Sequence, residues 1–186
     1  MTRPRGRPPH GHGVTRDDIL TAALTLLDEG GGQGLTMRAL ATRLGVTPMS
    51  LYHHVEDRAG LLRALSDRVY AEVLEDAGGL LDRRSEVQAI LIRYHDAVGR
   101  HPQLTLAIFA TPEAFAGVTR QITDRLTALL SEITAEHSLW CDILVDHAHG
   151  SGLTLSSAHG DRRRVRSLQA QYRHAVDRLL DRLAGP

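Results

Sequence analysis

Residues 35–55 read LTMRALATRLGVTPMSLYHHV and carry the start and stop signals of two short helices. Thr36 can cap the first helix with its side-chain oxygen, and Gly45 can end it. Thr47 repeats the cap for the second helix, and Pro48 takes the first helical position, where no backbone N–H is needed. An apolar residue precedes each threonine and fixes how the chain enters the helix. The stretch therefore predicts two helices joined by a tight turn.

The spacing of apolar residues indicates which face of each helix is buried. Leu40 and Leu44 lie four residues apart, as do Leu51 and Val55, so each helix offers one narrow stripe to a shared core. The opposite face of the second helix has no acidic residue and consists of Met49, Ser50, Tyr52, His53 and His54. These side chains suit the donors, acceptors and thymine methyls at the edge of a DNA groove. From this face alone, an ordinary solvated helix is an equal alternative.

A further helix precedes this pair. Val14 and Thr15 repeat the entry by an apolar residue and a threonine, Asp18 stands where a capping box needs an acceptor, and Ile19 begins an apolar side. The glycine run at 30–32 is expected to end this helix. Three helices with rigid entries predict a compact trihelical unit.

Between Val14 and Val69 the runs LTMRALATRLGV, SLYHHV and EDRAGLLRAL resemble the DNA-binding domain of the TetR family of bacterial repressors, most closely its tetracycline-repressor-like branch. The resemblance implies an all-α protein in which residues 14–57 form the helix-turn-helix DNA-binding domain. Residues 58–186 would form a helical ligand-binding and dimerisation domain. The implied function is that of a ligand-responsive transcriptional regulator, with a repressor favoured. It would bind a palindromic operator in double-stranded DNA as a homodimer and be released by a small-molecule effector.

The first 13 residues, MTRPRGRPPHGHG, hold proline, glycine and arginine without apolar periodicity and are expected to form a disordered basic arm. The run Arg5-Gly6-Arg7-Pro8 resembles an AT-hook core, which lies in the narrow minor groove of A·T-rich DNA. The alternative is a solvated basic tail with only diffuse attraction to phosphate.

Alanine, leucine and short helical patterns dominate the chain, and aromatic residues make up only 4% of it, which favours an all-α fold. The 22 basic residues, all arginine, balance 22 acidic ones, so net charge alone indicates no nucleic-acid partner. The lone Cys141 has no intrachain partner for a disulfide, and the sequence shows neither a membrane span nor a signal peptide. A soluble cytoplasmic protein without a cofactor is expected.

The rest of the chain predicts six more helices. Asp57 can cap a helix from Arg58 to about Asp76, which carries leucines and valines at a spacing of four, and Ala77-Gly78-Gly79 breaks the pattern. Proline and glycine breaks separate the others, which are expected at 85–99, 103–110, 112–134, 138–157 and 162–183.

The last two helices carry stripes that suit close helix packing. The helix at 138–157 has small groups, and the final helix has one apolar stripe on a charged rod. By the family resemblance the stripes would form a four-helix interface between two subunits through Ala148, Ser151, Gly152, Leu155, Val165, Leu168, Tyr172, Ala175, Leu179 and Leu183. The alternative is that both stripes pack within one subunit.

The resemblance also implies DNA contacts position by position. Arg38 would meet a base edge, with guanine the best match. Bases or thymine methyls would be met by Met49, Ser50, His53 and the edge of Pro48, within a reading segment that starts at Thr47. Phosphates would be held by Thr36, Tyr52, His54 and Arg58. For Arg58, an ion pair with Glu56 or Asp57 is the alternative.

A ligand cavity among the middle helices is implied in the same way. Its candidate lining is Tyr94, His95, Leu104, Ile108, Phe109, Phe115, Ile122, Trp140, Leu144 and His147. For each apolar member, plain core is the favoured alternative, while Trp140 and His147 suggest a lined face with a polar handle. Tetracycline repressors hold a magnesium-bound drug through a histidine where this chain is apolar, so tetracycline itself is not the expected ligand.

Other classes of protein find less support in the sequence. Asp142, Asp146 and His149 share one helical side, but polar helix faces often produce such triplets, and no metal site is expected. There is no strand alternation, Gly-x-Ser-x-Gly elbow or HExxH motif, so an enzyme is not expected. A helical oligomerising or interaction protein without specific DNA binding is the alternative, although it leaves the exposed face at residues 52–54 unexplained.

Overall fold

The structure, a computed structural model, describes residues 13–75, 82–158 and 160–183. Every regular element in these ranges is helical, as the sequence predicts. The α-helices are α1 Arg16–Gly34, α2 Met37–Leu44, α3 Pro48–Tyr52, α4 Arg58–Tyr70, α5 Arg83–Arg100, α6 Pro102–Phe109, α7 Val118–Ser131, α8 His137–Leu155 and α9 Arg162–Leu183. Short 3-10 turns lie at Ala71–Leu74, Pro112–Ala114 and Ser156–Ala158. The first twelve residues of the predicted basic arm, the predicted break at 77–79 and the predicted helix end at Asp76 fall outside these ranges.

Helix α1 begins with the predicted capping box. The Asp18 N–H donates to Thr15 Oγ1 at 3.1 Å, and the Thr15 N–H donates back to the Asp18 carboxylate at 3.0 Å. The glycine run interrupts this helix but does not end it. Gly31 has a φ of 62° and a ψ of −166°, and a short helical turn continues to Gly34. The predicted end of the helix is therefore a kink within α1.

The entries of α2 and α3 are also confirmed. Thr36 accepts from the Ala39 N–H at 3.0 Å, and Thr47 accepts from the Ser50 N–H at 3.3 Å. Gly45 ends α2 in the left-handed region, with a φ of 67°, which glycine adopts without a steric penalty. Two local signals, a cap and a glycine, thus fix the geometry of the turn.

Helix α4 connects the N-terminal unit to the rest of the chain. Asp57 caps it by accepting from the Gly60 N–H at 2.7 Å, as predicted. Leu61 and Leu65 are fully buried, and the chain continues after Tyr70 as a 3-10 turn. The N-terminal unit and the C-terminal body therefore share one continuous core around α4.

Helix α5 lies at the centre of the C-terminal body, where α7, α8 and α9 pack against it. The approach of α8 to α5 depends on Gly152. A Cβ at that position would lie 2.8 Å from Val98 Cγ1 and 2.9 Å from the His95 carbonyl oxygen. No helix in the described ranges is long and apolar enough to cross a membrane.

The helix predicted at 112–134 is wrong at its start. Residues 112–114 form a separate 3-10 turn, and α7 begins only at Val118. Gly117 breaks the helix with a φ of 61°, and the Val118 N–H donates to the Asp67 carboxylate on α4 at 2.9 Å. A contact with a residue 51 positions away, invisible to local pattern, thus decides where α7 starts. The other four helices predicted in this half lie within two residues of their expected ends.

Candidate nucleic-acid interface and inner pocket

The outer surface of α3 presents large side chains to solvent. Leu51 is fully buried and Val55 nearly so, which holds the short helix on the core. Met49 is 67% exposed and Tyr52 is 45% exposed, an unusual state for groups of their size. His53 follows as the C-terminal cap of the helix. The predicted reading face is therefore outside the core and free of acidic side chains.

Nine of the ten residues proposed to contact DNA lie on or next to α2 and α3, at the outer side of the turn. Most are exposed; Ser50 is half-buried, and its hydroxyl lies 3.0 Å from that of Thr47. The set that the fold brings together is Thr36, Arg38, Thr47, Pro48, Met49, Ser50, Tyr52, His53 and His54.

Two arginines on α2 have different surroundings. Arg43 makes a bidentate ion pair with Glu29, with N–O distances of 2.7 and 2.8 Å. Arg38 is exposed and has no ion pair with any acidic residue in the described ranges. Of these two arginines, only Arg38 therefore has a guanidinium without an ion pair in the described ranges.

Arg58 corrects both sequence-based expectations. Its guanidinium is half-buried and donates to the carbonyl oxygens of Gly32, at 3.0 Å, and Leu35, at 3.3 Å. It also donates to Thr111 Oγ1 at 2.9 Å. Because these acceptors inside the protein use its donors, Arg58 makes neither the predicted phosphate contact nor an ion pair with Glu56 or Asp57. Arg58 instead ties the first helical turn of α4 to α1 and to the loop after α6.

A second group of residues forms a small inner pocket between α4, α5, α6 and α7. Its lining is Tyr70, Tyr94, Thr105, Ile108, Phe109, Phe115 and Thr119. Four of the predicted ligand residues therefore meet here, namely Tyr94, Ile108, Phe109 and Phe115. The sequence analysis missed Tyr70, Thr105 and Thr119. The one available signal was the helical spacing of Thr105 with Ile108 and Phe109.

His149 of α8 borders the same pocket and was also missed as a lining residue. Its Nε2 atom lies 2.5 Å from the Tyr94 hydroxyl, and its ring meets Phe109 edge to face at 4.7 Å. Burial lowers the pKa of His149, and the nearby Asp146 opposes this shift only in part. Burial also raises the pKa of Tyr70 to about 12 and raises that of Tyr94. Tyr70, Tyr94 and His149 are therefore uncharged near neutral pH.

The other predicted ligand residues lie elsewhere. Leu104, Ile122 and Leu144 are core residues, because each is at most 1% exposed and none lines the pocket. His95 is fully buried and stacks on Tyr172, with ring centroids 3.9 Å apart.

Trp140 and His147 also depart from the expectation. They line an open groove between α8 and α9, together with Ile143, Ala175, Arg178, Leu179 and Arg182. The lined face suggested by their spacing exists, but it faces outward.

The ten residues of the predicted dimer stripes are divided between the interior and the surface of the subunit. Five of them pack inside the subunit, as the alternative expected, and the small residues of α8 among them face α5. The buried members are Ala148, Gly152, Leu155, Tyr172 and Leu183. Val165, Leu168, Ala175 and Leu179 of α9 are half-buried, and Ser151 Oγ lies 3.2 Å from His95 Nε2. The sequence analysis missed Leu139 and Ile143, which are 54% and 39% exposed on α8.

No group of three or more histidine, cysteine, aspartate or glutamate side chains within the described ranges is arranged to hold a metal ion. In particular, Asp142, Asp146 and His149 do not form such a group. The last of these faces Tyr94 instead. Cys141 is buried, which raises the pKa of its thiol.

Comparison with known proteins gives a consistent set of relatives. The family described as bacterial regulatory proteins, tetR family, matches residues 19–65. An uncharacterised helix-turn-helix transcriptional regulator of Mycobacterium tuberculosis is 34% identical over 109 residues, which are 52% of this chain and 50% of that protein. The class D tetracycline repressor of Escherichia coli is 35% identical over 97 residues, or 47% of this chain and 44% of the repressor. The chain thus spans about half the length of the curated relatives it matches.

The similarity to solved structures extends further along the chain. The structure of BioQ with its natural double-stranded DNA operator superposes with a TM-score of 0.72 and 26% identity. The match covers 94% of this chain and 100% of BioQ. The fold is therefore shared well beyond the helix-turn-helix segment.

Proposed function

We propose that this chain, which belongs to the TetR family of bacterial regulatory proteins, is a ligand-responsive transcriptional repressor. It binds a palindromic operator as a homodimer, and a small-molecule effector releases it. The observation that carries the proposal is the outward face of α3, where Met49 and Tyr52 project from a rigidly capped helix. The similarity to BioQ, which was solved with its operator, supports the same use of the surface here.

On this proposal, base edges are read by Arg38, Met49, Ser50 and His53, with the exposed edge of Pro48 against a thymine methyl. Arg38 suits a guanine, because a guanidinium can donate to two acceptors of that base. The remaining contacts position the protein on phosphates, through Thr36, Tyr52 and His54. Arg58 no longer belongs to this set, since its donors are used inside the chain.

The homodimer would form through the outer faces of α8 and α9. Leu139 and Ile143 are exposed apolar residues on α8, and the groove beside them has a volume of about 840 Å³. The half-buried side of α9 continues this apolar surface through Val165, Leu168, Ala175 and Leu179. An apolar surface of this kind on a helical bundle favours a partner, and a two-fold dimer would bring two reading heads to one operator.

The effector would bind in the inner pocket around Tyr94, Ile108, Phe109 and Phe115. It releases DNA only if it binds better to the conformation in which the two heads no longer fit the operator. Helix α4 is the connecting element, because its first turn holds α1 and its later turns pack in the body.

Selection of binding sites from a random duplex pool at moderate salt tests the proposal. The purified full-length protein should enrich an inverted repeat, which requires both base reading and a two-fold arrangement. Salt-sensitive retention without enrichment would instead indicate backbone attraction only. That result would contradict the proposal and favour a helical interaction protein with a basic tail.

A further inference from the structure

The inner pocket is almost filled by its own lining side chains in this structure. Its volume is about 10 Å³, which is no more than one water molecule needs. Most of its lining is buried, but Phe109 and Phe115 are 51% and 48% exposed. These two side chains are therefore the part of the wall that can move outward without disrupting the core.

The wall of the pocket is aromatic and uncharged. Among the residues that the structure describes, no aspartate, glutamate, lysine or arginine lines it. Its polar groups are paired, with Tyr70 Oη 2.8 Å from Thr105 Oγ1 and Tyr94 Oη 2.5 Å from His149 Nε2. A charged ligand would lose its hydration here without gaining an opposite charge. An aromatic ligand could pack against Tyr94 and His149 in the edge-to-face manner that now joins Phe109 to His149.

The two phenylalanines belong to a segment, residues 109–118, that is attached to α4 on both sides of Phe115. Thr111 accepts a hydrogen bond from Arg58 at 2.9 Å. The Val118 N–H donates to the Asp67 carboxylate at 2.9 Å. A displacement of the segment must therefore break these bonds or move α4.

We infer that the pocket receives an uncharged aromatic effector when Phe109 and Phe115 swing outward, and that segment 109–118 passes this movement to α4 through Arg58 and Asp67. The inference rests on the proposed function, because it names the effector class and the coupling route of the same regulator. A bound ligand also gives the two half-exposed rings an apolar surface to cover.

Two fluorescent probes with one shared ring system test the effector class. N-phenyl-1-naphthylamine is uncharged, and 8-anilinonaphthalene-1-sulfonate adds a sulfonate to the same rings. In titrations of the full chain without DNA, the uncharged probe should saturate at one per chain, and the sulfonate should bind at least roughly tenfold more weakly. Absence of saturable binding, or equal or tighter binding of the sulfonate, would overturn the inference. The groove beside α9, with Arg178 and Arg182, would favour the sulfonate.

Substitution of the two phenylalanines locates the probe. The double variant Phe109→Ala/Phe115→Ala should bind the uncharged probe about tenfold more weakly, because two aromatic contacts are lost. The control is Leu106→Ala on the same helix, since Leu106 is 46% exposed but does not line the pocket. Wild-type affinity in the double variant would place the probe elsewhere and contradict the inference.

The coupling route is tested with DNA from the selection experiment. The uncharged probe should weaken operator binding by wild-type protein about fivefold or more. The variant Thr111→Val/Asp67→Ala should bind the probe normally, but its operator affinity should change little when the probe is added. The control Thr123→Val/Asp124→Ala makes the same replacements on α7 and should respond like wild type. An undiminished response in the anchor variant would contradict the route.

The two proposals can fail separately. No specific operator binding by the protein without probe would contradict the proposed function. Specific operator binding that the probe leaves unchanged would contradict only the inference.

Discussion

Arg38 and Arg43 lie five residues apart on α2 but differ in what their guanidinium groups can do. Arg43 is held by both carboxylate oxygens of Glu29, a geometry that uses its fork of donors. Arg38 is exposed and has no such partner in the described ranges. The family resemblance assigns a base contact to Arg38 alone, whereas the pairing of Arg43 with Glu29 is a tertiary contact that the sequence does not reveal.

Replacing Arg38 by alanine should reduce affinity for the selected operator by about 1 to 3 kcal/mol, because a bidentate base contact is lost. Preference at one base position should relax at the same time. Fluorescence anisotropy with operator and scrambled duplexes measures both effects. Arg43→Ala is the matched control and should leave base preference unchanged. Equal losses on operator and scrambled DNA for Arg38→Ala would reject its role.

His149 should make stability depend on pH. Burial lowers the pKa of its imidazole below the ordinary value of 6.5. As the pH falls, His149 therefore binds a proton in the unfolded chain before it does so in the folded chain. The free energy of unfolding is highest above about pH 6.5 and decreases as the pH falls toward the pKa of the folded state. Chemical denaturation between pH 7 and 5 should show a decline that is smaller in His149→Gln, which keeps a partner for Tyr94. An identical decline in both proteins would contradict this account.

At the level of helices, the sequence predicts what local chemistry determines. Caps such as Thr36 and Thr47, and the left-handed Gly45, act within four residues, so their outcome is visible in the sequence. The start of α7 was missed, because it depends on the bond between Val118 and Asp67. The orientation of α8 was also misjudged, since small residues suit contact with a partner and contact with α5 equally well.

The small-residue contact of α8 gives a prediction for Gly152. An added methyl would lie 2.9 Å from the His95 carbonyl oxygen, which belongs to the backbone and cannot turn aside. Gly152→Ala should therefore destabilise the fold by about 1 to 3 kcal/mol, despite the better helix propensity of alanine. Gly30→Ala has open space around it and should instead stabilise by about 0.5 to 1 kcal/mol. Urea denaturation compares the two, and a neutral Gly152→Ala would show that the helices can separate.

For the whole molecule, the sequence predicts two candidate functional regions but not all the residues that the fold brings to them. The proposed DNA-reading surface is compact in sequence, and nine of its ten proposed residues lie together. The pocket draws on α4, α5, α6 and α7, so residues such as Tyr70 and Thr119 could be found only after folding. Arg58 shows the same limit, since its partner Thr111 is 53 residues away.

The proposed dimer gives a prediction for Ile143 on α8, which is 39% exposed. Ile143→Glu should convert the protein to a monomer, because it would bury a charge at the centre of the interface. Leu106→Glu places the same charge at an equally exposed apolar site on α6 and should leave the dimer intact. Sedimentation velocity distinguishes the outcomes. A dimeric Ile143→Glu protein would show that the dimer interface does not include this face of α8.

The proposed function requires two copies of the α2–α3 surface to read one operator. Native mass spectrometry of the full-length protein with the selected duplex measures this stoichiometry, with a scrambled duplex of equal length as control. Two chains should bind the inverted repeat, and little protein should be retained on the scrambled duplex at the same ionic strength. One chain on the inverted repeat, or equal occupancy of both duplexes, would contradict the proposed function.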